Sequence, residues 1–120
     1  MRGPPSLLGT HTAQVTIEGV GTQTVPMHCD QVQWRWTIET LPRSPGFTAM
    51  VNTADATASA GLVYFRDLGG FSGTFGRDII GDAQARFDDG TFVISGTAVG
   101  STEDQPTEET PHAFTIETNC

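Results

Sequence analysis

Apolar and polar residues alternate along most of this chain with a period of two. Over Ala13-Gln14-Val15-Thr16-Ile17-Glu18 every second position is apolar, which predicts a half-buried strand. Gly19-Val20-Gly21 supplies a turn. Residues 23–29 return as a second strand, in which Pro26 marks an edge or a bulge. Residues 33–40 alternate most clearly, with Trp34, Trp36 and Ile38 on one face and Arg35, Thr37 and Glu39 on the other. Leu41-Pro42-Arg43-Ser44-Pro45-Gly46 interrupts the pattern, and residues 47–52 resume it. Residues 62–66 read as a further strand. Residues 83–88 and 91–98 flank Asp89-Gly90, a strong two-residue hairpin signal. Residues 101–111 are acidic and polar and read as a long exposed loop, followed by a last strand over 112–118.

Two stretches depart from alternation. Residues 53–60 are rich in alanine and suggest a short helical turn, although Thr53, Thr57 and Ser59 are poor helix formers. Gly69-Gly70-Phe71-Ser72-Gly73-Thr74-Phe75-Gly76 reads as a twisted or bulged strand whose glycines relieve crowding. Seven to nine short strands with frequent turns predict an all-β, single-domain antiparallel β-sandwich or flattened barrel. Trp34 and Trp36 are expected inside it. The domain spans residues 13–120. The Gly/Pro-rich residues 1–12 read as a flexible linker or cloning remnant.

The two cysteines, Cys29 and Cys120, add a covalent expectation. A cysteine at a chain end is a poor core residue, because termini fray unless something ties them down. A Cys29–Cys120 disulfide supplies the tie; two unpaired thiols are the alternative. A bridge that persists points to an oxidising, extracytoplasmic compartment. The spacing fits no zinc pattern, which needs four ligands in close pairs.

Charge narrows the partners. The net charge is −8, there is no lysine, and the six cations are all arginine. Such a surface repels phosphate backbones and anionic headgroups, so neither nucleic acid nor a charged membrane is an expected partner. No run of eighteen apolar residues is present.

Candidate chemistry is sparse. Gly69–Gly76 is not a nucleophile elbow, because Thr74 stands where glycine is needed, and no P-loop lysine exists. His28 and His112 could approach one another if their strands paired, with Asp30 or Glu117 as a third metal ligand. Surface histidines are the simpler account. Asp88-Asp89-Gly90 and Glu103-Asp104 with Glu108-Glu109 hold carboxylates at turns but lack calcium-loop spacing. Trp34, Trp36, Tyr64, Phe65 and Phe71 either fill the core or form a sugar-binding platform or an apolar pocket, that is, a lipid or glycan groove. The shared face of Trp34 and Trp36 favours core. No Ser-His-Asp or Cys-His set assembles and no cofactor motif is found, so the expectation is a protein that is not an enzyme.

Several of these pieces carry a family resemblance. Val15-Thr16-Ile17-Glu18-Gly19, Val25-Pro26-Met27-His28-Cys29 and Gly81-Asp82-Ala83-Gln84-Ala85 occur in the order of the LpqH-type mycobacterial lipoprotein antigens. Asp89-Gly90-Thr91-Phe92-Val93-Ile94-Ser95-Gly96-Thr97-Ala98-Val99-Gly100 and Phe114-Thr115-Ile116-Glu117-Thr118-Asn119-Cys120 continue the likeness, which covers residues 14–120. Two departures stand out: the Trp34–Trp36 pair is heavy for the family, and the anchoring cysteine is absent here. The resemblance implies a domain exported and fixed to the cell envelope by an N-terminal lipidated cysteine. It implies host Toll-like receptors as partners, engaged through the acyl chains, and a membrane contact made through that anchor. The expected native precursor carries an export signal and a lipobox cysteine upstream of residue 1. No catalytic residue is implied.

Overall fold

The structure, a computed structural model, describes residues 11–88 and 90–120. The strands are β1 (His11–Ile17), β2 (Gly21–Val32), β3 (Arg35–Thr40), β4 (Gly46–Asn52), β5 (Ser59–Leu68), β6 (Phe71–Gly76), β7 (Asp82–Asp88), β8 (Thr91–Thr102) and β9 (Thr110–Asn119). All pairings are antiparallel, in the order β6-β5-β4-β3-β2-β1-β9-β8-β7. β6 also pairs with β8, which closes eight strands into a barrel and leaves β7 outside the circuit. Closure pairs the edges of those eight strands that an open sheet would expose and leaves the outer edge of β7 free.

One edge of β8 serves two partners. Thr91–Thr97 pair with β7, and Val99–Thr102 pair with β6. β6 and β7 therefore run end to end along that edge, separated by an excursion over residues 77–81. Two glycines of β8 permit the close approach. A Cβ on Gly96 would strike the carbonyl oxygen of Asp82, and one on Gly100 would strike that of Ser72. The outer edge of β7 carries Asp82, Arg86 and Asp88, charges that discourage edge-to-edge association.

Alternation sends every second side chain inward. Ala13, Val15, Ile17, Phe47, Ala49, Val51, Val63, Phe65, Phe92, Ile94, Phe114 and Ile116 are all buried. Phe65 sits at the centre, with the ring centroids of Phe47, Phe71 and Phe114 at 6.3, 5.6 and 5.3 Å. Gly73 lies opposite Phe65 in the β5–β6 register, and a Cβ there would strike the Phe71 ring. The glycine-rich stretch thus makes room for aromatic rings inside the barrel. Gly69 and Gly70 form the β5–β6 turn with φ of +62° and +88°, values that favour glycine.

Three local expectations are corrected. Residues 53–58 are not helical: the Asn52 side chain accepts a hydrogen bond from the Ala54 N–H at 2.8 Å, which diverts the backbone into a bend, and β5 begins at Ser59. The acidic loop is shorter than 101–111, because β8 runs to Thr102 and β9 starts at Thr110. β1 takes in His11 and Thr12, two residues of the expected linker; residues 1–10 lie outside the described residues.

Candidate functional site

The chemically distinctive end of the barrel is the one where β1 begins. β1 pairs with β2 on one side and β9 on the other, and it starts at His11, opposite Met27. Past that level the described strand β1 no longer separates β2 from β9. The Cys29–Cys120 disulfide joins them there, with Cα atoms 5.9 Å apart. The alternative of two free thiols is set aside. The terminus has a second tie as well, since the Cys120 N–H donates to the Gly90 carbonyl at 2.9 Å.

Next to the bridge an aromatic cluster plugs the barrel mouth. Trp36 points inward from β3, on the same face as Ile38 and Thr40, and is half-buried. Its Nε1–H donates to Thr53 Oγ1 at 3.3 Å. Its ring meets Phe92 edge-on at 5.2 Å and Phe87 at a tilt at 5.5 Å. Phe87 stacks on Phe92 at 4.3 Å. The sequence reading did not single out Phe87 and Phe92. Their signal was present, because a two-residue Asp-Gly turn places them directly opposite one another.

The expectation that Trp34 shares the core with Trp36 is corrected. β2 and β3 join through a two-residue turn, Gln33-Trp34, with Val32 opposite Arg35. Trp34 keeps the inward parity of Trp36 but lies beyond the rim, and it is 57% exposed. Val32 beside it is 72% exposed. Tyr64 is also outside, on the barrel wall, with the Arg66 guanidinium 5.4 Å from its ring centre. Phe65 and Phe71 are fully buried. The five aromatic candidates therefore do not form one groove: two are core, one plugs the mouth, one is at a turn and one is on the wall.

These placements carry an expected outcome. Trp34→Ala should change folding stability by less than about 0.5 kcal/mol, whereas Trp36→Ala should cost about 2–3 kcal/mol, below the value for a fully buried tryptophan. Urea titration of the two variants reads the contrast, and equal losses would contradict the turn position of Trp34.

The polar candidates separate too. His28 lies on β2 near the disulfide, with its Nε2 3.9 Å from Asp30. His112 lies on β9 near the opposite end, bonded through Nδ1 to the Glu18 carbonyl at 3.1 Å and packed on Phe71 at 4.8 Å. β1 runs between their strands, so the proposed approach of the two histidines does not occur. Asp88 lies at the disulfide end, and Glu103 follows the far end of β8, so those carboxylates do not converge. Among the described residues no three His, Cys, Asp or Glu side chains are grouped for a metal ion. A surface groove of about 420 Å³ is lined by Arg35, Asn52, Ser59, Leu62 and Arg77, among others.

The matching family model is described as the Mycobacterium 19 kDa lipoprotein antigen, and it covers residues 7–120. A protein named a lipoprotein in Mycobacterium indicus pranii is 32% identical over 117 residues, which is 98% of this chain and 84% of the relative. Lipoprotein LppE of Mycobacterium tuberculosis is 28% identical over 108 residues, 90% of this chain and 77% of the relative. The match takes in the whole described barrel and both cysteines of its bridge, and the chain belongs to the Mycobacterium 19 kDa lipoprotein antigen family.

Proposed function

We propose that this barrel is the folded, extracytoplasmic part of a lipid-anchored envelope antigen, and that it acts as a non-enzymatic interaction or structural module. The family match over residues 7–120 carries this reading. The disulfide supports it, because such a bridge persists in oxidising compartments. A net charge of −8 suits a domain that stays soluble beside a membrane. In this reading an acylated cysteine upstream of residue 1 holds the protein. Stable attachment takes at least two acyl chains, since one binds weakly and reversibly. Host innate immune receptors then engage the acyl chains and not the barrel.

The test uses the full-length native protein. It should partition into detergent, and replacement of the upstream cysteine should abolish that partitioning. Receptor activation by the unlipidated 120-residue chain at the potency of the lipidated form would place the signal in the barrel and overturn this assignment. A carrier for an apolar envelope lipid or glycolipid competes with it. The rings of Phe65, Phe71 and Phe114 occupy the interior such a ligand would need. Native mass spectrometry of protein from its own host is therefore expected to show no co-purified lipid.

A further inference from the structure

The β2–β3 hairpin extends past the start of β1. His11 is opposite Met27, and β2 continues through the five residues His28–Val32 before the Gln33-Trp34 turn. At strand rise that overhang is about 17 Å. The chain upstream of β1 therefore enters the barrel at the end where Val32 and Trp34 project. An N-terminal anchor, as in the reading above, is therefore joined to the barrel from this end. The acidic β8–β9 loop, with Glu103, Asp104, Glu108 and Glu109, lies at the opposite end.

We propose that the Val32–Trp34 hairpin tip docks on the bilayer interface and orients the anchored barrel with its disulfide end toward the membrane. The proposal rests on the anchored reading above. Tryptophan suits the site because its ring is apolar and its N–H remains able to bond at the headgroup level. Val32 adds apolar surface at the same tip. Trp34, not Trp36, is the inserting ring, since Trp36 already has its N–H on Thr53 and its faces on Phe87 and Phe92. Asp30 and Arg35, both exposed, border the tip with opposite charges, so the surface that fits is zwitterionic and not strongly anionic. Two side chains hold weakly by themselves. Tethering raises their effective concentration at the membrane, so docking belongs to the anchored protein and not to the free chain.

The experiment uses the 120-residue chain with an N-terminal histidine tag, captured on phosphatidylcholine vesicles that contain a nickel-chelating lipid. Trp36→Phe leaves Trp34 as the sole reporter, and Trp34→Phe leaves Trp36. Circular dichroism checks that both variants are folded. With acyl-brominated phosphatidylcholine, Trp34 emission should shift to the blue and fall about twofold, as for a ring at the interface, while Trp36 emission stays unchanged. Moving the tag into the β8–β9 loop should abolish the effect. Should Trp36→Phe fail to fold, quenching of the parent chain against Trp34→Phe gives the same comparison. Unquenched Trp34 overturns the docking, as does equal quenching with both tag positions. A blue shift that rises with protein concentration in the absence of vesicles would assign the tip to a second copy of the chain and also overturn it. Because the tether is artificial, these outcomes are independent of native acylation, which detergent partitioning decides separately.

Discussion

Replacing both cysteines with serine is expected to lower the unfolding free energy by about 4–5 kcal/mol, the largest single effect predicted for this domain. The size follows from the loop. Cys29 and Cys120 are 91 residues apart, so the bridge removes much of the freedom of the unfolded chain. The native barrel should survive the change. β9 is already paired with β1 and with β8, and the Cys120 N–H is held by Gly90. The expected result is a chain with unchanged far-UV circular dichroism and a much lower urea midpoint. An unchanged midpoint would mean that the bridge does not restrict the unfolded ensemble, and the entropic account would fail. Loss of the β spectrum in water would instead make the bridge a condition of folding.

Phe65→Ala should cost about 3–5 kcal/mol, the range for a fully buried aromatic ring replaced by a methyl group. Phe65 is completely buried and contacts three other phenylalanines from β4, β6 and β9. Phe47 and Phe71 sit on the neighbouring strands β4 and β6, and Phe114 on β9 across the barrel. Strand pairing fixes all three, so they cannot collapse on the space without moving whole strands, which keeps the cavity term large. The neighbouring Tyr64 is the internal control. It faces outward at 46% exposure, and Tyr64→Ala should cost less than about 1 kcal/mol. Adjacent residues with such different costs test the register of β5, because a slip by one residue would exchange their faces. Comparable losses at the two positions would refute the assigned register.

Much of the fold was legible because the signals are local. The alternation in Ala13–Glu18 names the inward face of β1, and Asp89-Gly90 names a hairpin with its register. That register in turn pairs Phe87 with Phe92. The disulfide was legible from the number and placement of the cysteines. The family was legible from the order of short segments along the chain.

Other features depend on where distant parts of the chain meet. Trp34 and Trp36 have the same parity in sequence, yet only Trp36 is roofed by Phe87 and Phe92 from β7 and β8. Trp34 falls past the rim because β2 and β3 turn at Gln33-Trp34. His28 and His112 sit near cysteine-bearing segments, but the disulfide joins β2 and β9 around the start of β1, and β1 keeps the histidines apart. The sequence by itself determined the strands, their inward faces, the covalent bridge and the family, since these follow from period-two alternation, turn chemistry and residue type. Only the tertiary structure decided between sandwich and barrel. Closure came from β6 reaching the half of the β8 edge that β7 leaves open, a non-local pairing permitted by the absent side chain of Gly100.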